Sequence, residues 1–296
     1  MKKKKEKTSI WVHLFFIAFS LACILPFMMV VSASFSESKD LLRNGFSVLP
    51  RKIDLTAYQY LFANPKIIID GYKVTIFTAI VGVFFALVVM SLTAYPLSRT
   101  DFKLKKIVTW YFFFPTLFGG GTVASYIVNT RYLHLTDSIW VLILPGVVSA
   151  FQIFMIRTFF QQLPEGLFDA AKIDGASEYG IYFRMAIPLS KPVLASIAFQ
   201  ETLERWNAWY SAMLYIRTKD KYPLQYLLQR MMMSLEELKK NMIEAPHLFT
   251  DVTAADIPGE NLRMALLIVC IGPMMIIFPF FQKYITKGMV VGSVKG

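Results

Sequence analysis

DAAKIDGASEYGIYFRMAIP, residues Asp169 to Pro188, separates two strongly apolar runs: SIWVLILPGVVSAFQIFMI (Ser138–Ile156) and VLASIAFQ (Val193–Gln200). Small, acidic and turn-forming residues dominate this insert, and their order reads as two short helices. Pro164 suits a first helical turn, and Glu165 and Asp169 bring negative charge to the positive end of that helix. Ala170 and Ala171 favour the helix while leaving its surface open to close approach. Gly175, after Asp174, supplies the left-handed residue that ends it, and Ala176 follows. Ser177 is placed to cap a second helix, in which Tyr179, Tyr182, Phe183 and Ala186 recur at three- and four-residue spacings. Pro188 is expected to stop that helix and Pro192 to begin the next span. A helix–turn–helix this apolar on one side is expected to dock against something.

The runs around the insert set its context. Of 296 residues, 55% are hydrophobic and 17% charged, against about 25% charged in soluble domains. Spanning a bilayer takes roughly 20 mostly apolar residues. Six runs qualify: Trp11–Val31, Val74–Leu97, Ile107–Ile127, Ser138–Ile156, Val193–Tyr215 and Met264–Phe281. They are continuous rather than alternating, so helices and not barrel strands are expected. The fold class is all-α, a polytopic membrane protein. Its parts are a basic N-terminus (1–10), a six-helix domain (11–281) containing the insert loop (157–192) and outer loops (32–73 and 216–262), and a basic tail (282–296).

The net charge of +11 could suggest nucleic acid, but its placement argues otherwise. Lys2 to Lys5 and Lys7 precede the first run, and Arg99, Lys103, Lys105 and Lys106 follow the second. Arg157 follows the fourth, and Lys283, Lys287 and Lys295 follow the sixth. The positive-inside bias therefore places both termini and the insert in the cytoplasm. The first run is too long for a secretory h-region and is expected to remain as a span. Cys23 and Cys270 both lie within runs, so neither a disulfide framework nor a metal site is indicated. His13, His134 and His247 are scattered.

Between the runs, one short helix is expected near Ala57–Phe62 and a longer one over YPLQYLLQRMMMSLEELKKNM, whose Met231–Met233 serve packing. Gly119-Gly120-Gly121 in the third run permits two readings: close helix packing through small residues, or a break beside a cavity.

Asp169-Ala170-Ala171, three residues, Gly175, nine residues, and then Met185-Ala186-Ile187-Pro188 resembles the pattern that marks inner-membrane subunits of ATP-binding-cassette importers, with Asp169 for the usual Glu. WNAWYSAMLYI, IWVLILPGVVSAFQIFMIRTFF and PFFQKYITKGMVVGSVKG resemble the maltose-type carbohydrate-uptake permeases, specifically the second of their two permease subunits and the subgroup that takes complex oligosaccharides. Ala124 stands where that resemblance implies a proline. The resemblance implies a type I importer fold in a prokaryotic inner membrane, with a homologous second permease, two ATPase subunits, an extracytoplasmic solute-binding protein and an oligosaccharide cargo. It makes the insert a coupling helix, with Asp169, Ala170, Ala171, Asp174, Gly175, Ala176, Phe183 and Pro188 as the residues meeting the ATPase. It also implies that Gly292, Lys295 and Gly296 reach the interface between the ATPase subunits.

Glu201, Glu204, Arg205 and Asn207 fall near the middle of the fifth run, where ionisable groups face a bundle interior or an aqueous path. Glu201 and Arg205 are four apart and can pair. With Trp206, Trp209 and Tyr210 they form either a translocation-path lining suited to sugar rings or a fixed ion pair with an interfacial aromatic belt. The chain has no GxxxxGK[ST] loop, so ATP and its Mg²⁺ are expected on partner subunits and no cofactor on this chain. Three classes compete with sugar import. An amino acid, peptide or polyamine cargo keeps the architecture. A membrane enzyme using Glu201 and Glu204 would need carboxylates on both sides of a sugar bond, which three-residue spacing does not give. A secondary transporter needs an inverted repeat or an intramembrane ion site, and neither is visible.

Overall fold

The computed structural model describes residues 10–244 and 259–293. Helices follow one another in the order α1 (Ile10–Ser34), α2 (Ser38–Asn44), α3 (Thr56–Leu61), α4 (Pro65–Ser98), α5 (Lys105–Leu117), α6 (Gly121–Ile127) and α7 (Ala150–Gln161). Then come α8 (Glu165–Ile173), α9 (Glu178–Ile181), α10 (Ile187–Leu189), α11 (Lys191–Trp206), α12 (Trp209–Tyr215), α13 (Leu224–Glu244) and α14 (Glu260–Ser293). Among the described residues the only β pairing is an isolated bridge, Ser36 with Ile53.

Among the described residues, three continuous helices are long and apolar enough to cross a membrane: α1, α4 and the Glu260–Gln282 part of α14. Two helix pairs also qualify when each is taken together across a break: Lys105–Leu117 with Gly121–Tyr132, bent by 117°, and Ile139–Gly146 with Ala150–Gln161, bent by 48°. The third run therefore breaks at its glycines. Gly121 has φ +74°, a conformation that L side chains rarely adopt, so it serves the break. The fifth run differs from the continuous span expected of it. It divides at Asn207–Ala208 into α11 and α12, and Glu201, Glu204 and Arg205 lower its apolarity, so it is not among the up to five spans that qualify by length and composition among the described residues.

Packing divides the chain into two units, Met1–Pro65 with Leu228–Gly272 and Lys66–Leu227 with Pro273–Gly296. In the first, α1 is apolar on every side and exposed through Pro26. Its last turn buries Ser32, Ala33 and Ser34, where Tyr58 donates to Ser34 Oγ at 2.9 Å and stacks on Phe35. α3 falls where one short helix was expected, and α2 is an additional one. α13 matches its predicted pattern, with Met231 and Met232 half-buried and Met233 exposed.

In the second unit, Ala86, Met90, Ala94 and Leu97 recur along one face of α4. They pack against Ile153, Ile156 and Phe160 of α7, Val193 and Ile197 of α11, and Phe168, Ile181, Tyr182 and Ala186 of the insert. Among spans such packing acts through dispersion rather than release of water. Phe168 and Ile181 lie outside the spans, and there each fully buried apolar side chain contributes about 1.5–3 kcal/mol.

At the other end of α4, Val74 packs with Val141, Leu142, Tyr215 and Tyr222. Asp137, at φ +55°, accepts from the Arg217 and Thr218 amides at 3.0 and 2.9 Å and from Thr218 Oγ1 at 2.6 Å. The Thr218 hydroxyl, the two amides and Lys221 hold its carboxyl well below the usual range.

Candidate functional site

The insert closes as its sequence dictates. In the turn after α8 the Ala176 amide donates to Ala171 O at 2.9 Å and the Gly175 amide to Lys172 O at 3.0 Å. This is the paired pattern of a Schellman end, and Gly175 at φ +78° is the residue that makes it possible. Ser177 Oγ then accepts from the Gly180 amide at 3.2 Å, capping α9. The second helix runs further than expected. A π turn over Tyr182–Ala186 passes into α10, and the helix ends at Ser190, so Pro188 lies within its last turn instead of stopping it. The wider i→i+5 turn comes directly before Pro188, whose ring and missing N–H disfavour a regular α ladder.

One face of α8 is tied to the segment after α4. Glu165, Phe168 and Lys172, spaced three and four apart, meet Thr100, Arg99 and Asp101 in turn. Thr100 Oγ1 donates to Glu165 at 3.3 Å, the Arg99 guanidinium lies 4.7 Å above the Phe168 ring, and Lys172 Nζ reaches Asp101 Oδ2 at 2.9 Å. Lys172 also reaches Glu178 Oε1 at 3.0 Å, and the Tyr95 hydroxyl donates to Glu178 Oε2 at 2.8 Å. Tyr182 and Ser91 share a hydrogen bond of 2.7 Å. None of these contacts was read from the sequence. Lys172 and Asp101 are 71 residues apart, and the one available signal was the i, i+3, i+7 spacing on α8.

The clasp shifts its titrations in opposite senses. Hydrogen bonding from Lys172 holds Asp101 below the usual carboxylate range. Burial pushes Glu178 up, but Lys172, Tyr95 and Arg99 together outweigh it, and the net shift is down. The hydrogen bonds to Asp101 and Glu178 raise Lys172. Lowered carboxylates contribute stability that is present above their ordinary range and lost as pH falls through the lowered values. A raised ammonium contributes stability that is present below its ordinary value and lost as pH rises through the raised one. Amide protection of the insert, corrected for intrinsic exchange, should therefore be flat from about pH 5 to about pH 9 and decline beyond either limit. These side chains are a third or more exposed, so the decline should be modest. Protection that rose on acidification would contradict the clasp.

The opposite face is open. Asp169, Ala170, Asp174, Gly175, Ala176 and Pro188 are exposed and Ala171 is half-buried. Ile173, Tyr179 and Phe183 are 85%, 74% and 61% exposed. Tyr179 and Phe183, expected on one face with Tyr182 and Ala186, instead point outward while Tyr182 and Ala186 enter the core. A hollow of about 520 Å³ lies between Gly175, Tyr179, Phe183 and Met185.

Glu201 and Arg205 are buried, 2% and 5% exposed, and pair at 3.1 Å. The Arg205 guanidinium also donates to the carbonyls of Leu142 (3.3 Å), Ile143 (3.2 Å) and Gly146 (2.9 Å), which lie in the 3₁₀ turns before α7, outside any α-helical ladder. Gln152 hydrogen-bonds to Glu201. Gly82 makes room for this guanidinium, since a Cβ there would come within 2.4 Å of it. Gly82→Ala should displace Arg205 and destabilise the chain by about 1–3 kcal/mol, read as a lower thermal midpoint in detergent; an unchanged midpoint would contradict the packing. Trp206 is buried, Trp209 is half-buried, and Glu204, Asn207 and Tyr210 are exposed. The candidate group thus divides into an inward pin and an outward set. Gly292 lies in α14, which runs past the expected end at Phe281 to Ser293; Lys295 and Gly296 lie outside the described residues.

Several helical spans carrying a compact helix–turn–helix with an exposed apolar face define a multi-pass membrane protein. The chain belongs to the family described as binding-protein-dependent transport system inner membrane component, whose model matches residues 60–291; it is a transporter permease subunit. It is 34% identical over 282 residues to the polygalacturonan/rhamnogalacturonan transport system permease protein YtcP of Bacillus subtilis (strain 168), covering 95% of this chain and 96% of that one. It is 29% identical to the arabinooligosaccharides transport system permease protein AraQ of the same organism, covering 96% and 94%. Among solved structures, it matches a chain of a bacterial ABC transporter involved in the import of the acidic polysaccharide alginate. That match has a TM-score of 0.77 and 28% identity, covering 95% of this chain and 99% of that one.

Proposed function

We propose that this chain is one of two permease subunits of an importer for oligosaccharides derived from complex glycans. It forms half of the translocation path and is driven by ATP hydrolysis on partner subunits. The observation that carries this is the insert: Ile173, Tyr179 and Phe183 stay exposed on a module that is otherwise capped, clasped and packed. In this reading the insert is the coupling helix, and its open face meets an ATP-binding-cassette subunit. A second permease, a second ATPase subunit, a solute-binding protein and membrane lipid complete the assembly. ATP and Mg²⁺ sit on the ATPases, and nucleic acid has no part. The lysine-rich ends support cytoplasmic termini. The cargoes for which the relatives are named, polygalacturonan/rhamnogalacturonan, arabinooligosaccharides and alginate, support sugar over amino acid, peptide or polyamine. Vesicles holding the complex and its binding protein, offered galacturonate, arabinose, alginate and maltose oligomers beside amino acids and polyamines, should accumulate a sugar oligomer and consume ATP as they do. ATP-dependent uptake of only a nitrogenous solute would overturn the sugar cargo, and uptake without ATP would overturn the class.

A further inference from the structure

We propose that Lys172 is a positioning residue that transmits motion of the insert to α4, by tying the end of α8 simultaneously to Asp101 and to Glu178. The inference rests on the coupling reading above and adds the route by which displacement leaves the insert. A docking module moved by a partner must be joined to a span by contacts that do not slip. Packing of Phe168, Ile181 and Tyr182 on α4 resists separation, but apolar surfaces slide past one another more easily than paired charges do.

Lys172 supplies the directional link for α8. Its ammonium donates to Asp101, three residues past the end of α4, at 2.9 Å. It also donates to Glu178, in the first turn of α9, at 3.0 Å, and Glu178 in turn accepts from Tyr95 on α4 at 2.8 Å. One side chain therefore closes the helix–turn–helix on itself, joining it directly to the segment that follows α4 and, through Glu178, to Tyr95 on α4. The other ties of α8 are weaker or non-directional, a 3.3 Å hydroxyl–carboxylate contact and a ring–guanidinium stack; the 2.7 Å hydrogen bond between Tyr182 and Ser91 joins the second helix of the insert to α4 but does not hold α8. Lys172 is engaged with Asp101 and Glu178 and does not line the hollow between Gly175, Tyr179, Phe183 and Met185, so changing it leaves Tyr179 and Phe183 in place.

The test uses the complex purified by a tag on this chain, in lipid discs, with hydrogen exchange followed at residues 165–173 and 90–99 with and without ATP plus vanadate. In the wild type both segments should respond to the trapped nucleotide. Lys172→Met should keep the ATPase and the response at 165–173 but lose most of the response at 90–99, on the order of threefold or more, whereas Lys172→Arg should retain it. The reversed pair Lys172→Glu with Asp101→Lys should restore it in part. An unaltered response at 90–99 in Lys172→Met overturns the proposal, as does a wild type that responds only at the insert; in both cases the coupling reading stands. Loss of the ATPase from Lys172→Met and from the reversed pair alike would make Lys172 a folding determinant and overturn it too. A wild-type chain that brings down no ATPase removes the coupling reading and this proposal with it.

Discussion

Arg205→Leu should deplete the folded protein. The substitution leaves Glu201, 2% exposed, as a buried carboxylate without its cation. It also strips the donors from three carbonyls before α7. Removing one partner of a buried pair costs about 3–5 kcal/mol, a large share of the roughly 5–15 kcal/mol that holds a typical domain. The amount of chain recovered in mild detergent and its thermal midpoint should both fall sharply. Changing both partners, Arg205→Leu with Glu201→Leu, should recover part of the loss, because no charge is then stranded and only neutral groups, the carbonyls and the Gln152 amide, lose their partners. Equal loss in the single and double variants would mean that the carbonyl contacts, not the ion pair, dominate. A single variant of wild-type stability would contradict the pin altogether.

Phe183→Glu should do the reverse, sparing the fold and removing the partner. Phe183 is 61% exposed, so the chain itself loses little when a charge replaces it. If the open face of the insert is buried in a complex, a central aromatic there is worth about 2–4 kcal/mol of binding, roughly 30- to 1,000-fold in affinity. The variant should run as wild type in size-exclusion and thermal assays and fail to retain an ATPase subunit through purification. Tyr182→Glu, aimed into the core, should instead destabilise the chain; the contrast between adjacent positions separates a docking surface from a packed one.

Much of the insert was legible in its residues because its ends are fixed locally. Gly175 had to take a positive φ and Ser177 had to cap, and both decisions involve neighbours within a few positions. What escaped the sequence depends on distance or on compromise. The join of Lys172 to Asp101 is set by the packing of α8 beside α4, which no local pattern encodes. Pro188 read as a stop because a regular helix excludes proline, yet a π turn just before it lets the helix pass through. The glycines at 119–121 left packing and breakage equally open until the positive φ of Gly121 and the bend beside it showed the break. In the fifth run the ion pair of Glu201 and Arg205 was visible from its four-residue spacing, but its use was not. The acceptors come from Leu142, Ile143 and Gly146, and their availability depends on 3₁₀ turns that the apolar run conceals. Gly82, a lone glycine in an otherwise apolar span, was the one clue to where that guanidinium fits.

The most direct measurement is a pull-down through a tag on this chain in mild detergent, comparing wild type with Gly175→Asp. The wild type should bring down a second permease and an ATP-hydrolysing subunit. At φ +78° an aspartate strains the turn that sets α8 against α9, and it places another carboxylate beside Asp174, so the variant should keep the permease and lose the ATPase. A wild-type chain that captures no ATPase under several mild conditions would contradict the account.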